Sequence, residues 1–239
     1  MALVGVASMI SSLFYSSTIL ALIGLGLTFW GVVLLYTRPH PYVRSDLMDS
    51  TALSSFRTID RVMTGLGYRE KGVYIPVGNP EKVIVLVPSE PLTRIPKPQE
   101  ILERTFLENP KGVIITPPGL SLAALIEKEL AADFEKLTLH DLSKRLARPL
   151  VENLEVAQDF DMNVNGEHVE VKMVDSIYTN FCSQLRRTTK YASSLGCPIC
   201  SAIACILAMV TRRPVSFEQE EFSPDRRTLK ASYRIIKWS

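Results

Sequence analysis

The sequence predicts an α+β protein, a single N-terminal transmembrane helix followed by one domain of antiparallel β-hairpins packed with helices. Three observations carry that expectation. No Asp, Glu, Lys, Arg or His occurs between Met1 and Tyr36. Two cleanly alternating runs flank Asn165-Gly166, the strongest short hairpin signal. The strand-like runs follow one another in adjacent pairs rather than through βαβ crossovers, which points to antiparallel sheet.

The anchor comes first. Leu13 to Tyr36 is uncharged and apolar, and about 20 such residues carry a helix across the hydrocarbon layer. Tyr15 at one end and Phe29, Trp30 and Tyr36 toward the other suit interfacial aromatic positions. A cleaved signal peptide would want a basic start, a shorter apolar core and an A-x-A-like site, and the chain has none of these. Residues 1–37 are therefore read as a single-pass anchor in the cell membrane, with Ser17/Ala21 and Gly24/Thr28 at small-xxx-small spacing. Arg38 and Arg44 follow at once, which places the large domain on the cytoplasmic side by the positive-inside preference. The proline-punctuated TRPHP stretch opens a stiff linker over residues 38–49.

Residues 50–239 read as the cytoplasmic α+β domain. Ser50 can cap a helix over about Thr51 to Leu66, with Leu53, Phe56, Ile59 and Met63 on one stripe. GVYIPVG and KVIVLVPS form a first hairpin around Gly78-Asn79-Pro80, with Pro76 marking an edge or a bulge. A proline-rich loop leads to a short helix over Ile101 to Leu107, and GVIITPPG is a buried strand entering a turn. Helices follow over Leu120 to Phe134 and from the Thr138-x-x-Asp141 capping box, the second stopped or kinked by Pro149. Phe160, Met162 and Val164 face Val169, Val171 and Met173 across the central hairpin. A helix over Ile177 to Leu195 is broken by Gly196, and Pro198 starts an apolar helix to Val210 that belongs in the core. PVSFEQEEF and TLKASYRIIKW close the chain as a third hairpin.

Composition limits function more by exclusion. With 239 residues, 46% hydrophobic and 22% charged, the chain can bury a core and is not disordered. A formal net charge of +2 singles out no partner. From Arg186 onward ten Lys/Arg face four acids, which suits equally the anionic surface of the lipid bilayer and scattered solubilising charge paired with the acids nearby. No nucleic-acid module and no glycine-rich phosphate loop is present, so nucleic acid is not expected as a partner. His40, His140 and His168 lie in unrelated elements and suggest no catalytic assembly. The acidic runs Glu127/Glu129 and Glu218/Glu220/Glu221 read as solvated faces. The domain is thus expected to be non-enzymatic, with no catalytic residue, metal or cofactor assigned.

The cysteines are the candidate site: Cys182, Cys197-x-x-Cys200 and Cys205. A C-x-x-C at a helix start is where orphan amides and the helix dipole stabilise thiolates, so thiol redox chemistry or metal ligation is chemically available. Cys205 lies five residues past Cys200, about 140° around a helix, and should not converge with it. Free cysteines also pack as small buried hydrophobes, the simpler reading.

The segment YASSLGCPICSAIACILAMVTRRPVSFEQEEFSPDRRTLKASYRII, within residues 176–239, resembles the end of 4-vinyl reductase (V4R) ligand-binding domains, relatives of Bet3-like trafficking subunits. The whole chain is similar to membrane-anchored archaeal proteins in which LGY, TPPG and GCP recur, here Leu66-Gly67-Tyr68, Thr116-Pro117-Pro118-Gly119 and Gly196-Cys197-Pro198. The resemblance implies a dimeric α+β domain with an apolar pocket for a small hydrophobic ligand and cysteines near it. The leading expectation is a membrane-tethered, self-associating binding or scaffold domain, its pocket walled by the helix from Pro198 to Val210. A thiol-redox or metal-binding protein using Cys197 and Cys200, and an accessory subunit of a larger membrane complex, stand beside it.

Overall fold

The computed structural model describes residues 2–36, 45–68, 70–79, 81–102, 104–190 and 194–238. The chain divides into two units, Met1–Met48 and Asp49–Ser239.

The first unit corrects the expectation of a single-pass transmembrane anchor. Ser16 takes a left-handed φ of 48° and reverses the chain, so that α1 (Ala2–Tyr15) and α2 (Thr18–Tyr36) form a hairpin. Of the small residues at helix-packing spacing, Gly24 and Thr28 are used within it. A Cβ on Gly5 would lie 2.5 Å from the Thr28 backbone nitrogen, and one on Gly24 would lie 2.8 Å from that of Met9. At 1.5 Å per residue α1 is about 21 Å long and α2 about 28 Å, against roughly 30 Å of hydrocarbon. Among the described residues no helix is long and apolar enough to cross a membrane.

The second unit is α+β with antiparallel sheet. The helix α3 (Ser45–Gly65), which enters this unit at Asp49, starts earlier than the Ser50 cap implied, and the TRPHP segment lies outside the described residues. β1 (Val73–Gly78) and β2 (Lys82–Pro88) form the expected hairpin, with the register shift falling between Pro76 and Gly78. The short helix α4 is Pro98–Ile101; residues Phe106–Glu108, expected to be helical, form β3 and pair with β4 (Lys111–Ile115). α5 (Leu120–Leu130) ends at a left-handed Ala131, and α6 (Leu139–Arg145) opens on the Thr138–Asp141 capping box. A π-helical turn at Pro149–Asn153 follows. β5 (Asp159–Asn165) and β6 (His168–Val174) pair in the predicted register, Phe160 with Met173 and Val164 with Val169. α7 (Thr179–Thr188) is shorter than expected, and α8 (Pro198–Thr211) precedes the terminal hairpin of β7 (Val215–Phe222) and β8 (Thr228–Ile235).

All eight strands join one sheet in the order β3-β4-β2-β1-β7-β8-β6-β5. The hairpins therefore unite, which pattern reading along the chain could not supply. Helix α8 lies in the main core, buried at every position from Ile199 to Val210, because no polar stripe interrupts it. On the other side of β1 and β2 a second cluster, including Ile75, Leu86, Ile95 and Ile101, is closed by α4 and its loop.

Candidate functional site

The Gly-Cys-Pro-Ile-Cys segment is held by sheet residues at both ends. The Tyr74 hydroxyl on β1 donates to the Leu195 carbonyl at 2.6 Å, and the Tyr233 hydroxyl on β8 donates to the Cys200 carbonyl at 3.0 Å. Gly196 between them has φ +72°, a left-handed turn that L side chains resist. Cys197 then occupies the N-cap of α8 and Pro198 its first turn, where a missing amide hydrogen costs nothing. The Thr116–Gly119 turn braces the helix from outside. The Gly119 amide donates to Ser201 Oγ at 3.0 Å, and a Cβ on Gly119 would fall 2.0 Å from the Ala202 nitrogen.

Three sulfurs gather at the start of α8. Cys182 of α7 is joined to Cys197 by a disulfide with a Cα–Cα distance of 5.3 Å. Cys200 is a free thiol, its Sγ 3.6 Å from that of Cys197. It donates to Glu220 Oε2 at 3.5 Å. One ligand atom from each of Cys197, Cys200 and Glu220 lies within 4.8 Å of the others, and all three residues are buried.

Glu220 corrects its reading as a solvated acid. In β7, Phe217 pairs with Tyr233 while Gln219 pairs with Ser232, so Glu218 is an inserted bulge residue. The insertion changes the alternation, turning Phe217 and Glu220 inward while Gln219 and Glu221 face out. Bulges re-aim side chains in this way beside functional sites. The sequence signal is the odd spacing of Phe217 and Phe222, five residues apart, which a regular strand would place on opposite faces. Glu220 is only 5% exposed, and its Oε1 has no hydrogen-bond partner among the described residues. Glu218 meanwhile pairs with Arg234 at the surface. Of the other acids, Glu127 is partly buried and engaged, bridging Lys82 Nζ at 2.6 Å and accepting from the Phe134 amide.

Burial dominates the electrostatics. It raises the Glu220 carboxyl to about 7, against the lowering effects of the Cys200 thiol and of Arg186. Burial also pushes the Cys200 thiol well above its ordinary value, and the neighbouring Glu220 charge pushes it further. Arg186 reaches the same place from α7, donating to the Glu220 carbonyl at 2.6 Å.

Of the four cysteines, the structure brings Cys182, Cys197 and Cys200 together and leaves Cys205 apart, a free thiol in the core whose pKa burial raises. His40 lies outside the described residues, and His140 and His168 are exposed and distant in sequence from the cluster. Three cavities, of about 350, 620 and 210 Å³, lie respectively on the polar face of β5–β8, between α3 and α7, and beside Leu92 and Ile95. None of these three is lined by α8, the helix expected to wall a ligand pocket.

Three soft sulfur donors and one carboxylate suit a borderline-soft divalent ion such as zinc, which takes four ligands tetrahedrally. The disulfide form removes two of those donors. The model of one family, described as Domain of unknown function (DUF7982), matches residues 1–234. No curated protein and no solved structure matches the chain.

Proposed function

We propose, for a chain that belongs to the DUF7982 family, that Cys182, Cys197, Cys200 and Glu220 form a redox-responsive metal centre. Its reduced form holds one zinc-class ion, and its oxidised form carries the Cys182–Cys197 bridge. The observation behind this reading is the gathering of Cys197, Cys200 and Glu220 at one buried point, with Cys182 bonded to Cys197 beside them.

A disulfide alone explains only half of that arrangement. It requires neither a third sulfur 3.6 Å away nor a buried acid with an orphan oxygen. A buried carboxyl with one oxygen left unpartnered carries a cost, and a divalent ion would take that oxygen as a ligand. Disulfide exchange by Cys200 is disfavoured because burial holds its sulfur as a thiol, which is a poor nucleophile.

Four protein ligands close a zinc site, leaving no position for substrate, so the centre is structural and regulatory rather than catalytic. Switching needs a two-electron oxidant, here hydrogen peroxide. The thiolates of Cys182 and Cys197 give up two electrons and form the S–S bond; the peroxide O–O bond breaks and, with two protons, leaves as two waters. Cys200 and Glu220 would then offer an ion two ligands rather than four. A dithiol reverses the step, returning two electrons to the sulfurs as it is itself oxidised to a disulfide.

Zinc titration of the reduced full-length chain against a chromophoric chelator tests the reading. One equivalent should bind, the Cys200→Ala variant should bind none, and Cys205→Ala should bind as the parent does. A reduced parent chain that leaves all zinc with the chelator would overturn it.

A further inference from the structure

The helical hairpin of residues 2–36 exposes apolar side chains in every direction other than the contact between its two helices. On α1, Leu3 and Phe14 are 86% and 83% exposed, and on α2, Ile19 and Leu22 are 71% and 73% exposed. With 100° per residue, the exposed apolar positions of α2 from Ile19 to Leu34 sweep an arc of roughly 200°. A helix that docks on protein presents a stripe about half as wide. A groove or a second copy of the chain covers one stripe, whereas an apolar solvent covers all of them.

Four hydroxyls along the two helices point to the same surroundings. The Ser8 hydroxyl donates to the Leu20 carbonyl, Ser11 to Ala7, Ser12 to Met9 and Thr28 to Gly24. Those protons are spent on helix carbonyls, as hydrocarbon demands and water does not. At the reversal, the Ser17 amide donates back to the Ser12 carbonyl at 3.3 Å. No Asp, Glu, Lys, Arg or His interrupts the stretch.

From these observations we propose that the hairpin is buried among lipid acyl chains with both of its ends on one face of the bilayer. Neither helix is long enough to cross, and the hairpin turn returns the chain to the face it entered. The start of α1 therefore lies on the same face as the end of α2, the reverse of what a single-pass anchor requires.

The test uses the full-length chain carrying an N-terminal epitope tag, mixed with vesicles of uncharged phosphatidylcholine. The chain should float with the vesicles in high salt and in alkaline carbonate. In the Trp238→Phe variant, Trp30 fluorescence should be quenched by brominated phosphatidylcholine. A membrane-impermeant reagent should label the tag and the main domain from the same side. Phe14→Asp together with Leu22→Asp should cut flotation at least tenfold while the fold, read by circular dichroism, persists. A chain that stays unbound, that forms a discrete water-soluble dimer through the hairpin, or that shows tag and domain on opposite faces would overturn the proposal.

Discussion

The Cys200 thiol lies 3.5 Å from Oε2 of Glu220, a contact between the first turn of a helix and the interior face of a strand. The helix is stopped there by Gly196 and Pro198, and the strand is turned there by its bulge at Glu218. Each element alone would be ordinary; together they set a buried thiol and a buried carboxyl side by side. The account ties that pair to the disulfide beside it as the ligands of one ion.

Glu220→Gln keeps the shape of the side chain and removes its charge. Displacing even residues that only support a metal ligand lowers affinity roughly 10- to 100-fold, so zinc affinity of the reduced chain should fall by at least about tenfold. The metal-free oxidised protein should gain stability, because a buried ionisable group is gone. Chelator competition and thermal unfolding measure the two effects.

Deleting Glu218 tests the bulge. Without the inserted residue Gln219 still pairs with Ser232 and faces out, and Glu220 still pairs with Ala231 and faces in. One equivalent of zinc should therefore still bind while circular dichroism keeps the β signal, because the ladder to β8 remains available. A deletion variant that binds none would mean that the inward direction of Glu220 does not suffice to make it a ligand.

How much of this was legible in the sequence follows from how local each signal is. The register of Phe160–Val164 against Val169–Met173 was readable because alternation and Asn165-Gly166 act within a few residues. The capping box at Thr138 was equally local. The reversal at Ser16 was not readable, since an uncharged run looks the same whether it is one helix or two packed on each other. Likewise the sulfur group depends on α7 and α8 meeting in space. Glu220 was hidden by a bulge whose only sequence trace is the five-residue spacing of Phe217 and Phe222.

Gly119→Ala should destabilise the domain through overpacking. Its methyl would meet the α8 backbone at Ala202, 2.0 Å away, and backbone cannot yield as a side-chain end can. Overpacking of this kind costs about 1–3 kcal/mol or more. Denaturant unfolding should show a lowered midpoint. Zinc affinity would fall only as far as the start of α8 moves.

Cys205→Ser separates packing from chemistry. The sulfur is buried and apart from the other three cysteines, so the change leaves the disulfide and the zinc stoichiometry intact. A buried hydroxyl lacking a partner costs about 1–3 kcal/mol. The melting temperature should drop without any change in metal content.

The Asp175–Arg227 pair carries a pH dependence of its own. The Arg227 guanidinium, 2.9 Å away through Nε, holds the Asp175 carboxyl below its ordinary value. A depressed carboxylate contributes stability that is present above its unfolded pKa and lost as pH falls through the folded one. Asp175→Asn should therefore lower stability at neutral pH, with the difference from the parent closing at acid pH. Parallel unfolding curves at the two pH values read it directly.

Zinc-edge X-ray absorption of the reduced full-length chain, loaded with one equivalent, tests the metal centre most directly. The account predicts three sulfur neighbours at about 2.3 Å and one oxygen at about 2.0–2.2 Å, with the zinc signal released by peroxide as Cys182 and Cys197 join. A shell of nitrogen and oxygen alone, or zinc that stays in place once the disulfide has formed, would contradict it.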